Sequence, residues 1–135
     1  MKIPYVENDV SDIVDMVIYP EEILDSLIKR GIVESPKYNY YEDCGDMCNI
    51  MTFIIGNKIL KEISEDAEIT VKEGVFGMLG NHTWLEIENT IIDSTLKQFV
   101  YDAKELCFID NKFSEYQAVK SYTFDDWVEQ SPNFL

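Results

Sequence analysis

An α+β fold is predicted for this chain of 135 residues, and three observations predict it. The first quarter carries apolar residues at helical spacing. A longer helical stripe begins after Asp43, and beyond residue 67 the pattern changes to alternation within short runs separated by turn signals. Helices followed by strands, without a βαβ rhythm, is the α+β order. Apolar residues make up 46% of the chain and aromatics 13%, spread along its length. That is enough to bury one core, whereas two domains of half this size would each be short of interior. The expected organisation is therefore a single domain over 1–135.

Each element has a local reason. Val10, Ile13, Val14 and Val17 share a helical face and predict a helix over 10–17. A second helix over 21–30 follows Pro20, a residue suited to a first turn, and ends with Lys29 and Arg30 before a capping Gly31. Pro36 and three tyrosines make 35–41 a loop that packs on something. Met47, Met51, Ile54, Ile55 and Ile59 then form one broad stripe, predicting a largely buried helix that runs to residue 63. Ile69 and Val71 alternate on one face of a strand over 67–72. A glycine-rich passage with Gly74, Gly77 and Gly80 delivers His82. Strands over 82–87 and 90–94 form a hairpin about a turn containing Asn89. A further strand or helix is expected over 99–109, and a loop at 110–111. Residues 113–122 have no assignable pattern. A short helix starts at Thr123, a capping residue followed three positions later by Asp126. Within the domain, 1–42 is an N-terminal helical part, 43–99 a core and 100–135 a C-terminal extension.

The chain holds 26 acidic and 11 basic residues, a formal net charge of −15. Such a surface repels phosphate backbones and anionic lipid, which disfavours nucleic acid and membranes as partners. It suits a solubilising role, or a basic peptide or protein partner. No positive N-terminal region precedes an apolar run, so a signal peptide is not expected. The apolar run at 50–55 is too short to cross a bilayer. Three cysteines without a signal peptide read as thiols, which points to a cytoplasmic protein with no disulfide framework.

One of those thiols sits where a nucleophile belongs. Asp43 is a good N-cap and places Cys44 in the first turn of its helix, where unpaired amides and the helix dipole favour a thiolate. Gly45 lets a substrate backbone come close. A buried structural cysteine is the alternative reading of the same position. His82 is the one histidine in the chain, so any imidazole chemistry must use it. A lone histidine is otherwise a satisfied structural residue, and its setting decides its interest here.

Hairpin parity supplies that setting. If the turn is even in length, strand partners have an odd index sum and Trp84 lies opposite Asp93. His82, Trp84, Glu86, Asp93 and Thr95 then share one face of the sheet. Asp93 can hold one nitrogen of His82, leaving the other to take a thiol proton. An odd turn would send Asp93 to the far face and break the arrangement.

Cys44-Gly45-Asp46-Met47-Cys48 resembles the transglutaminase-like motif in which the nucleophile precedes Gly-Asp, an apolar residue and a small one. His82-Thr83-Trp84-Leu85-Glu86 is similar to that superfamily's His-Ala-Trp-Val-Glu strand, and Ile92-Asp93-Ser94-Thr95 to its Asp-Pro-Thr signature, with Ser94 replacing proline. The resemblance covers residues 43–99 and has the order Cys, His, Asp. It implies a papain-like core of the small bacterial or phage type, in which a central helix bearing the nucleophile packs on a small antiparallel sheet. The implied roles are Cys44 as nucleophile, His82 as base, Asp93 as orienter and Trp84 as a wall beside the histidine. Trp84 equally suits a core aromatic. The Cys44 segment is also similar to the start of bacteriocin-exporter leader peptidases, whereas papain's Cys-Gly-x-x-Cys would make Cys48 the nucleophile. The glutamine that papain-like enzymes use as an oxyanion donor is missing before Cys44. Tyr38, Asn39 or Tyr40 could donate in its place, together with the Cys44 amide.

The implied activity is a cofactor-free, cysteine-dependent hydrolase, a protease or deamidase, acting on a peptide or protein amide. Amine transfer is the less expected outcome. Two alternatives use the same residues otherwise. An acidic binding or inhibitor protein could keep the fold and not the chemistry. A zinc site could draw on Cys44, Cys48, Cys107 and His82, but Cys-x-x-x-Cys within a helix is not knuckle spacing. No metal is expected, and Cys107 reads as a core residue.

Overall fold

The second half of the chain forms a five-stranded antiparallel sheet. The computed structural model describes residues 2–6, 65–104 and 106–130, together with Thr52, Ile55, Gly56 and Leu60, which are helical. The helices expected over 10–17 and 21–30, the loop over 35–41 and the Cys44 segment lie outside the described residues.

In chain order the strands are β1 (Ile69–Phe76), β2 (Gly80–Ile87), β3 (Thr90–Asp93), β4 (Cys107–Asp110) and β5 (Tyr116–Thr123). A 3-10 turn (Leu96–Gln98) lies between β3 and β4, and the helix α1 (Phe124–Gln130) follows β5. The spatial order is β4-β3-β2-β1-β5, so four successive antiparallel strands are completed by a last strand that crosses over to pair with β1. This is a mixed α+β arrangement.

Several boundaries differ from the sequence expectation. β1 runs on through Gly74 to Phe76, because its partners on both sides continue the ladder where the glycine suggested a break. The stretch expected as one strand or helix over 99–109 divides instead into a turn and β4. The unassigned 113–122 becomes most of β5, whose burial pattern is nearly all exposed and therefore carries no alternation to read. Thr123 does cap α1, its Oγ1 accepting the Asp126 amide at 3.2 Å.

β2 is buried from both sides. His82 and Trp84 face one layer and Leu85 the other. The register places Phe76, Ile91, Cys107, Ile109 and Tyr116 on the His82 face, where they join Leu96, Val100 and Ala103 in one apolar cluster. Ile69, Val71, Leu85, Ile92 and Phe108 are buried on the opposite face. At the β4 edge the N-terminal residues add a short strand-like cover. Tyr5 pairs with Ile109, Val6 donates to the Phe108 carbonyl at 2.8 Å and Asp110 to that of Pro4 at 3.1 Å. The Tyr5 ring also lies 4.7 Å under the Lys104 ammonium.

A β-bulge between Glu73 and Gly74 leaves Val119 unmatched on β5 and 76% exposed. The strands close so tightly there that a Cβ on Gly74 would collide with the Gln117 carbonyl oxygen. Gly74→Ala is accordingly expected to destabilise by about 1–3 kcal/mol, since the obstacle is backbone and cannot swing aside. Urea denaturation checks this, and an unchanged midpoint would mean that the bulge relaxes freely. Among the described residues no helix is long and apolar enough to cross a membrane.

Candidate functional site

The β2–β3 hairpin decides the site. Its turn has two residues, Glu88 and Asn89, and pairs Leu85 with Ile92, Glu86 with Ile91 and Ile87 with Thr90. The index sum is odd, as the even turn requires. The left-handed position falls on Glu88, at φ 55°, and not on Asn89. A non-glycine residue there is uncommon, and it matches the first central position of a turn with primed-type twist.

This register sets Asp93 on the face of His82. Nε2 of His82 and Oδ2 of Asp93 are 2.6 Å apart, and both residues are at least 97% removed from solvent, being 3% and 2% exposed. Asp93 has further donors. The Tyr116 hydroxyl donates to Oδ2 at 2.7 Å, the Thr95 amide to Oδ1 at 2.9 Å, and the Thr95 hydroxyl to Oδ1 at 3.4 Å. Burial works against ionisation of this carboxyl. The His82 ring, by electrostatic attraction and its hydrogen bond, then the Thr95 amide and Tyr116 hydroxyl, outweigh burial and hold it below the ordinary carboxylate value. The same contact acts oppositely on Tyr116, whose hydroxyl is raised well above the usual tyrosine value by burial first and by Asp93 second. Tyr116 therefore stays a donor.

The other ring nitrogen, Nδ1, meets the side-chain amide nitrogen of Gln98 at 3.1 Å. An amide nitrogen can only donate, so Nδ1 accepts. The ring proton then belongs to Nε2 and points at Asp93. This hydrogen-bond network assigns the tautomer in which Nδ1 carries the lone pair.

Aromatic rings enclose the imidazole. Trp84 stacks alongside at 5.8 Å between centroids, and Phe99 and Phe76 present edges at 5.1 Å and 6.4 Å. Tyr116 lies tilted at 6.1 Å. Trp84 is thus both the neighbour of the histidine and a core residue, 1% exposed, with its indole N–H directed to Glu86 at 3.4 Å.

Cys107 lies opposite Asp93 across β3 and β4, and its thiol donates to the Lys104 carbonyl at 3.1 Å. Burial first, and the Asp93 charge second, push this thiol up to about 12. It is an inert core thiol, since reactivity requires the thiolate.

His82, Asp93 and Trp84 are thus brought together. Cys44, the alternative nucleophile Cys48, and the oxyanion candidates Tyr38, Asn39 and Tyr40 lie outside the described residues. Among the described residues no group of histidine, cysteine and acidic side chains has the arrangement of a metal site. Of three further neighbours of the pair, Thr95 was expected on the His82 face, and Gln98 and Tyr116 were not singled out by the sequence. Thr95 had a local signal, because an aspartate two residues before a threonine forms an Asx-type turn. Gln98 and Tyr116 had none, since the 3-10 turn and the β5 crossover bring them in. Comparison of the chain with family models, with curated proteins and with solved structures returns no match.

Proposed function

We propose that this protein is a cysteine-dependent hydrolase of papain-like, transglutaminase-like architecture, acting on a peptide or protein amide. The observation that carries the reading is the buried His82–Asp93 pair, with its proton on Nε2 and its lone pair on Nδ1. A general base needs that combination: one nitrogen fixed by a carboxylate, the other able to accept. Cys44 is the nucleophile, favoured over Cys48 by its capping Asp43 and the Gly45-Asp46 that follows. Its sulfur attacks the amide carbon while the thiol proton passes to Nδ1 of His82. The amine leaves with that proton, giving a thioester, and water resolves it with Nδ1 taking the water proton and returning one to sulfur. The charge of −15 suits basic peptide or protein substrates, and a cytoplasmic setting suits free thiols.

The test is a comparison of wild type with Cys44→Ala and Cys48→Ala on a proteome digest, reading new termini and Gln-to-Glu changes. Cys44→Ala is expected to abolish turnover and Cys48→Ala to retain it, with iodoacetamide blocking the wild type. Full turnover in Cys44→Ala would overturn the reading.

The charge also favours a second reading, an acidic binding or inhibitor protein on the same fold. Partner binding would then fall steeply with salt and be unchanged in His82→Ala.

A further inference from the structure

His82 is gripped at both nitrogens by one short stretch of chain. Asp93 ends β3 and takes Nε2. The Thr95 backbone N–H turns back to Asp93 Oδ1, and the Thr95 carbonyl accepts the Gln98 backbone N–H at 3.2 Å, opening the 3-10 turn. Leu96 anchors that turn in the core with no exposed surface, and Gln98 then reaches Nδ1. Carboxylate and amide are five positions apart and are held by consecutive turns, so their spacing across the ring is set by backbone geometry.

The two grips differ in kind. Asp93 accepts from the ring and tolerates either charge state. The Gln98 amide donates to it, and a donor facing Nδ1 is compatible only with a bare nitrogen. If Nδ1 gains a proton, two donors oppose each other in a site walled by Phe76, Trp84, Phe99 and Tyr116. The amide must then rotate to offer its oxygen, or leave. Among the described residues, the titratable groups near the ring include Asp93, the Tyr116 hydroxyl and the Cys107 thiol across from Asp93, and the last two keep their protons.

We propose that Gln98 is a positioning residue for His82: its amide reserves Nδ1 as the accepting nitrogen and must turn or withdraw whenever Nδ1 takes a proton. This deepens the hydrolase reading, which supplies the proton from Cys44, but the grip on the ring exists without it.

The single histidine makes the test direct. Nitrogen-15 correlation spectra of the ring, recorded across a pH titration, are expected to show the neutral wild-type ring protonated at Nε2 and bare at Nδ1. In Gln98→Glu a carboxylate replaces the donor, and the titration midpoint is expected to rise by about 1–3 units over wild type. In Gln98→Met the midpoint should rise less while the Nε2 proton is retained, because Asp93 still holds it. A neutral wild-type ring protonated at Nδ1, or equal midpoints in wild type and Gln98→Glu, would overturn the proposal. The same series in Cys44→Ala separates the two ideas. If turnover survives that substitution and the ring still responds to Gln98, the hydrolase reading fails and the positioning role stands.

Discussion

Asp93→Ala is expected to cost about 3–5 kcal/mol of stability, the loss typical of breaking a buried pair by deleting one partner. Four donors lose their acceptor at once: His82 Nε2, the Tyr116 hydroxyl, and the amide and hydroxyl of Thr95. The donors on His82 and Thr95 cannot turn to water, because those residues are 3% and 2% exposed, whereas Tyr116 is half-buried. Asp93→Asn keeps the volume and one accepting oxygen, so a smaller loss is expected. Urea unfolding of the three proteins reads the difference. A loss under about 1 kcal/mol in Asp93→Ala would show that the donors find other partners. The pair also sets an acid limit. The folded carboxyl lies below its ordinary value, so its contribution is fully present above the unfolded carboxylate value, about 3.9. It is lost as pH falls from there through the folded value. Stability should therefore drop with acid below about pH 4, and Asp93→Asn should flatten that part of the curve. An identical acid profile in Asp93→Asn would remove Asp93 as its source.

The second large effect is expected at Trp84. It is 1% exposed and shares its face with Phe76, Ile91, Leu96 and Ile109. Truncation to alanine loses the transfer energy of the indole and leaves a cavity that strands on both sides prevent from closing. The expected cost is about 3–5 kcal/mol. Trp84→Phe fills most of the volume and should cost much less. The two variants also separate the roles of the ring, because Trp84 lies 5.8 Å from His82 and 5.0 Å from Tyr116. If Trp84→Phe folds normally but shifts the His82 ring resonances, the indole positions the imidazole as well as filling the core. Unaltered resonances in a stable Trp84→Phe protein would leave it a packing residue alone.

Much of this site was legible beforehand through local rules. The hairpin parity needed only the alternation of two runs and a turn of even length, and the observed register has the odd sum that puts Asp93 beside His82. The Thr123 cap required one side chain and an amide three residues on. Where the reading failed, a non-local partner was involved. Gly74 suggests a strand end, yet β1 continues because β2 and β5 both pair past it. β5 shows no alternation because most of its side chains are exposed on both faces, and only its crossover to β1 makes it a strand.

By itself, then, the sequence determined the mixed α+β class and the hairpin, and, for a turn of even length, the facing of its single histidine toward Asp93. Those properties follow from period, parity and turn length, which act over a few residues. Only the tertiary structure decided what completes the environment of that pair. Tyr116 arrives by a strand crossover and Gln98 by a 3-10 turn anchored in the core. Their hydrogen bonds depend on how distant segments pack, so no local pattern announces them. They nevertheless help hold the carboxylate ionised and mark which ring nitrogen keeps its lone pair.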